Sequence, residues 1–256
     1  MEPYAFVQQV YAGAMVFTRL AAMVMVMPAV GDQAVPVRIR LSFAFLLTLT
    51  LAPVVLPTPP AVPSDLGVMT VQIVREVFVG LMIGAVLRLF MASLSVAGEI
   101  ISIQSTLSFA QTSAPGIVEP STTVATFIGL VGLILIFATN LHHLFLAAMV
   151  RSYSIFPFGA GAPVADSGGL AIRTVSEAFR MGVQLSAPVL VLSLVFNVAV
   201  GLAARIMPQF QVFFVASPLM VLFSLAILAL SLGLIGMIWV NGYGRLLGSF
   251  AGTGGG

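Results

Sequence analysis

Cysteine is absent from the chain, and so is lysine; all 10 basic residues are arginine. Without thiols there is no disulfide framework and no thiolate metal centre. Histidine is nearly missing too. His142 and His143 are the two present, and neighbouring helical positions point about 100° apart. No other His or Cys is present to complete a site with them, so no metal site is expected, and no cofactor is expected either. Charge itself is scarce: 7% of residues carry one, against about 25% in soluble domains. A net charge of +2 drawn from so few groups gives no sign of nucleic acid as a partner. There is no G-x-S-x-G, no nucleophile–base–orienter set and no nucleotide-binding motif. An enzyme is therefore not expected, and any energy source lies elsewhere.

What the chain has in quantity is apolar surface. It is 60% hydrophobic, with a mean hydropathy of +1.15, and cannot cover a water-facing surface. The class expected is an all-α integral membrane protein. Met1-Glu2-Pro3 supplies no basic n-region and Arg19 interrupts the first apolar run, so no cleaved signal peptide is expected.

A bilayer core takes about 20 residues of helix. Six long apolar segments read out at residues 5–27, 41–56, 68–90, 124–150, 172–200 and 213–240. A short segment, 91–105, leads from the third into a polar stretch. The last lies in the uncharged stretch 206–244, longer than one span needs, and can be accommodated as a bent hairpin with Ser217-Pro218 near one end. The connections are short and no repeat is visible. A single membrane domain over residues 1–256 is expected, with residues 251–256 a flexible tail.

Residues 98–122 stand out between these runs. They include Glu99, Ser102, Gln104, Ser105, Thr106, Ser108, Pro115, Gly116 and Pro120, with Leu107 and Phe109 as an apolar tip. Irregular polar backbone at membrane depth is tolerated only inside protein or along a wet cavity, which points to a pathway. An ordinary surface loop between two spans has the same composition. The charges within apolar segments, Arg19, Arg75, Glu76, Arg88, Glu99, Glu177 and Arg180, cost about 2.5–3.5 kcal/mol each at a helix centre on insertion scales. They read as ion pairs holding helices together rather than as a proton relay, because the acidic set is sparse. Adjacent Arg75 and Glu76 each need a partner on another segment, whereas Glu177 and Arg180 share a face.

The residues also resemble a known family. Gly98-Glu99-Ile100-Ile101, Gln104 and Leu107-Ser108-Phe109-Ala110 resemble the AGQ-x-x-x-x-Q-x-G-LSFA stretch of the FliR family of flagellar type III export-gate proteins. Asn140-Leu141-His142-His143 followed by Pro157 is similar to its NGHH…P stretch. Arg205, Pro208-Gln209, Phe213 and Pro218-Leu219 are similar to its R-x-x-PQ-x-x-x-F…PL stretch. Thr106 stands where the family often has Gly, Ala114 where it often has Asp, Asn197 where it often has Asp, and Met220 where it often has Lys.

The resemblance implies a FliP-like part fused to a FliQ-like hairpin pair, with about six long hydrophobic helices, several of them bent hairpins. It implies FliP-like, FliQ-like, FlhB-like and FlhA-like partners, unfolded export substrates, contact with membrane lipid, and a place in the bacterial inner membrane at the flagellar basal body. Residues 104–120 would be the closing plug, with Gln104, Leu107, Ser108, Phe109, Pro115 and Gly116 its gate residues. Arg19, Arg75, Glu76, Arg88, Glu99 and Arg205 would be buried, structural charges, and Pro208, Gln209, Phe213 and Pro218 packing and assembly contacts. Two other readings stay open: an injectisome SctT-type export-gate subunit, and a small-molecule secondary transporter. The missing inverted repeat weighs against the transporter.

Overall fold

A computed structural model describes residues 3–32, 34–58, 60–108, 122–158, 164–207 and 212–251. Among them are seven helices: α1 (Pro3–Val26), α2 (Val37–Val55), α3 (Leu66–Gln104), α4 (Thr123–Ala138), α5 (Leu141–Ile155), α6 (Val164–Ile206) and α7 (Val212–Ala251). No strand occurs among the described residues, and the all-α membrane class expected from composition holds. Five helices are long and apolar enough to cross a membrane, or six if the broken pair α4 and α5 counts as one.

Three segment boundaries differ from the reading by hydropathy. Residues 68–90 and 91–105 are one 39-residue helix, α3. Nothing between them breaks a helix, and only the length of a bilayer span suggested a division. Residues 124–150 are divided instead, because Asn140 takes φ 59°. Asparagine tolerates the left-handed region better than most residues, and a helix commonly ends on such a position. The last apolar stretch runs unbroken as the 40-residue α7, with Pro218 inside it. Proline removes one backbone donor and kinks a helix, but here the helix continues.

At about 1.5 Å per residue, α3, α6 and α7 are each roughly 60 Å long, against about 30 Å of bilayer hydrocarbon. Most of the outer face of these helices is apolar; Leu230, for example, is 85% exposed.

The helices form two compact units, one of Met1–Phe90, Asn140–Thr174 and Gly244–Gly256, the other of Met91–Thr139 and Val175–Tyr243. In the first unit α1 buries one stripe, including Met15, Val16, Arg19, Leu20, Met23 and Val24, at helical spacing. It meets α3 where Gly80 lies against the Arg19 carbonyl, and a Cβ there would also stand 2.8 Å from the Ala22 Cβ. The turn from α1 to α2 is tied by Arg40, which donates to the carbonyls of Val35 (2.8 Å) and Gly31 (3.2 Å). In the second unit the single tryptophan, Trp239, is fully enclosed. Its indole Nε1–H donates to Ser93 Oγ at 3.2 Å, and its ring stacks on Tyr243 with centroids 5.0 Å apart.

Candidate functional site

Two arrangements draw on the residues singled out from sequence. The first is a buried charge cluster in the first unit. Arg19 and Glu76 are both sealed from solvent. Arg19 Nε donates to Glu76 Oε2 at 2.6 Å, and Nη2 donates to Glu76 Oε1 at 3.0 Å, a bidentate fork. Nη1 reaches the Ser152 carbonyl at 3.1 Å, and Nη2 also reaches the Phe156 carbonyl at 3.0 Å. The guanidinium lies 3.9 Å from the centre of the Tyr153 ring. Beside it, Arg75 donates from Nη2 to the Pro157 carbonyl at 3.1 Å, and Tyr11 donates to Gln72 Oε1.

This geometry has a simple cause. The last carbonyls of a helix lack intrahelical partners and carry partial negative charge. Arg19 and Arg75 supply donors to the carboxyl end of α5 and to the residues just beyond it. Arg75 and Glu76, adjacent in sequence, thus bond to different segments. Sequence gave no sign of Tyr153, Gln72 or the α5 carbonyls as partners; two inward arginines without a second acid nearby were the available signal. Arg88 is half exposed, with Asp32 3.9 Å away. Arg205 is exposed, and Arg180 and Glu177 pair at 3.8 Å on an exposed face. None of these four is enclosed by this chain.

The second arrangement is the base of the polar stretch, in the second unit. α3 ends at Gln104, and Ser105 and Thr106 turn the chain. Thr106 takes φ 62°, a left-handed conformation that glycine adopts without strain and a β-branched residue does not. Its hydroxyl lies 3.4 Å from that of Ser217. The described chain resumes at Thr122, whose N–H donates to Glu99 Oε1 at 2.9 Å. Thr122 is also the N-cap of α4, its Oγ accepting from the Ala125 N–H at 3.3 Å. One residue before Glu99, Gly98 lies so close to Ala125 that a Cβ has no room.

Gly98 and Glu99 together therefore grip the first turn of α4, and both ends of the polar stretch lie on that grip. Leu107 and Ser108 are half-buried. Leu107 lines a cleft of about 640 Å³ with Thr123, Val124, Phe127, Leu225 and Leu228 among its other walls.

Phe109, Pro115, Gly116, Pro208 and Gln209, with residues 252–256 of the tail, lie outside the described residues, as does the Phe213 side chain. Gln104 is half-buried and Pro218 exposed. No group of three metal-ligating side chains occurs among the described residues. The rings of His142 and His143 lie 4.2 Å apart, tilted by 37°.

Long apolar helices, a buried Arg19–Glu76 pair and a polar stretch held at its base by Glu99 define a helical membrane protein. Residues 10–246 match the bacterial export proteins, family 1, and the chain belongs to that family. It is 57% identical over 250 residues to the flagellar biosynthetic protein FliR of Caulobacter vibrioides, covering 98% of this chain and 100% of that one. It is 28% identical over 218 residues to FliR of Escherichia coli, covering 85% and 82% of the two chains. With FliR of Bacillus subtilis it shares 27% over 230 residues, covering 89% and 88%. The FliR resemblance read from the motifs thus holds over nearly the whole length.

Proposed function

We propose that this chain is a channel and gate subunit of the flagellar type III protein export apparatus in the bacterial inner membrane. It would join FliP-like and FliQ-like subunits, with FlhB-like and FlhA-like components nearby, and pass unfolded flagellar substrates. Residues 104–120 close the passage when it is idle. One observation carries this reading: Glu99 holds the N–H of Thr122 at 2.9 Å, which ties the chain that resumes after the polar stretch back to α3. Leu107, at its start, faces an apolar cleft. An apolar constriction held by a weak attachment can exclude ions by dewetting and still open for a substrate. Catalysis is not part of the role, and energy is supplied by other components.

The experiment is ion leakage across the cell membrane with export idle. Removing residues 108–120 leaves assembly intact and raises leakage, and Phe109→Ala gives a value between that variant and the parent. Normal assembly with unchanged conductance in the deletion would reduce the stretch to a connecting loop.

A further inference from the structure

We infer that Arg38, Arg40 and Arg88 form a binding site for the phosphate headgroup of an anionic phospholipid, whose acyl chains lie along the exposed face of α2. The inference needs only the membrane class of the fold, not the channel role proposed above. It starts from where the charges of α1, α2 and the first part of α3 lie. Residues 3–90 carry eight charged side chains. Arg19, Arg75 and Glu76 are buried in the first unit. The other five stand at two levels. Asp65 lies at the start of α3, its carboxylate accepting from the Gly67 N–H at 2.8 Å. Asp32, Arg38, Arg40 and Arg88 gather at the turn from α1 to α2.

The geometry of that turn leaves positive charge open. Arg40 is bonded to the carbonyl of Gly31 at 3.2 Å, which holds its guanidinium beside Asp32. From the other side Arg88 Nη2 stands 3.9 Å from Asp32 Oδ1, too far for a hydrogen bond. The Arg88 side chain is 53% exposed, and Arg38 is exposed two residues before Arg40. Three cations and one anion leave a net charge of +2 at this level. Arginine forks match phosphate oxygens in geometry as well as in charge.

Length identifies what lies beside the turn. Between Asp65 and Arg88, residues 66–87 of α3 are roughly 33 Å long, and the whole of α2 is roughly 28 Å. Both match the ~30 Å of hydrocarbon in a bilayer. α2 is also the helix this chain covers least: Ala44 and Thr48 are its buried residues, while Ile39, Leu46 and Leu49 stay exposed at 58–62%. A helix of bilayer length, open to apolar surroundings, is covered end to end by acyl chains. The arginines at its N-terminal boundary then stand at headgroup depth, where basic residues attract anionic lipids. A zwitterionic headgroup brings the same phosphate with its own cation attached, so charge selects the anionic one.

The test takes the full chain from membranes in mild detergent, with any proteins that stay bound to it. It is titrated with phosphatidylglycerol or phosphatidylcholine under native mass spectrometry. Phosphatidylglycerol binds in preference, and the preference weakens as ammonium acetate is raised. Arg38→Gln combined with Arg88→Gln lowers phosphatidylglycerol affinity roughly tenfold and leaves phosphatidylcholine binding as it was. Both side chains are open to solvent, so the thermal midpoint stays unchanged. Arg180→Gln, which removes an exposed arginine from the other unit, keeps the parent's preference. The inference is overturned by equal binding of the two lipids, by a double variant that keeps the preference, or by an equal loss in Arg180→Gln. It is also overturned if inorganic phosphate at the lipid's own concentration displaces phosphatidylglycerol, which would make the turn a site for a free anion. Ion leakage and export play no part in these readouts, so the proposed function stands or falls separately.

Discussion

Arg19 and Glu76 meet at 2.6 Å with neither side chain open to solvent, joining α1 to α3 across 57 residues of sequence. Breaking a buried pair leaves the survivor's charge unmatched, at about 3–5 kcal/mol. Glu76→Gln and Arg19→Met should each lower the thermal midpoint of the detergent-solubilised protein sharply. Arg19→Met combined with Glu76→Met should recover part of the loss, because no lone charge remains. A double variant as unstable as the sum of the single ones would show that the pair is not the unit.

The carboxylate of Glu99 accepts a backbone donor at the N-terminus of α4. A hydrogen bond to a charged group contributes about 1.5–3 kcal/mol. Glu99→Ala should speed hydrogen exchange at the Thr122 amide roughly tenfold to a hundredfold, whereas Glu99→Gln keeps an acceptor and most export. Export abolished in a fully assembled Glu99→Gln variant would point instead to a proton-carrying role.

Two glycines should respond oppositely to one added methyl. Gly80 is pressed against the Arg19 backbone, whereas Gly129 has nothing within 4 Å of a Cβ. Gly80→Ala forces α1 and α3 apart, a change of a kind that costs about 1–3 kcal/mol. Gly129→Ala should raise stability by up to about 1 kcal/mol, since alanine is the better helix former. Thermal unfolding of both variants checks the pair.

Thr106 holds φ 62°, a conformation disfavoured by roughly 1–2 kcal/mol for a residue with a Cβ. Thr106→Gly relieves that strain but removes the hydroxyl facing Ser217. Stability should be unchanged or higher, and Thr106→Val should be lower than the parent. A marked loss in the glycine variant would place the weight on the hydroxyl.

Trp239 is the single tryptophan and is fully enclosed. Its emission should be blue-shifted and insensitive to aqueous quenchers. Ser93→Ala leaves the buried indole N–H without its acceptor, which costs about 1–3 kcal/mol and should shift the emission further to the blue.

Composition made the fold class legible, because 7% charge leaves no way to solvate a globular surface. Helix boundaries were less legible. Hydropathy divides a chain by the thickness of a bilayer, and α3 and α7 do not respect it. The break at Asn140 had a signal, an asparagine following a long apolar run, but an averaged window passes over a single φ value. The charged residues were legible as needing partners, but not which ones. Arg19 bonds residues 57 and 133 or more positions away, and two of its bonds go to backbone carbonyls, which any residue could have supplied. At the polar stretch, the sequence marked its extent, while the grip of Gly98 and Glu99 on α4 depends on how closely two helices approach.

The bonds from Arg19 and Arg75 reach three sites at the end of α5 and just beyond it, the carbonyls of Ser152, Phe156 and Pro157. Sliding α5 along its axis by one residue, about 1.5 Å, would misalign these bonds together, while the fork from Arg19 to Glu76 would remain. α5 therefore has a single notch in which it can rest. Any pliancy in this unit therefore has to come from segments that no such notch secures.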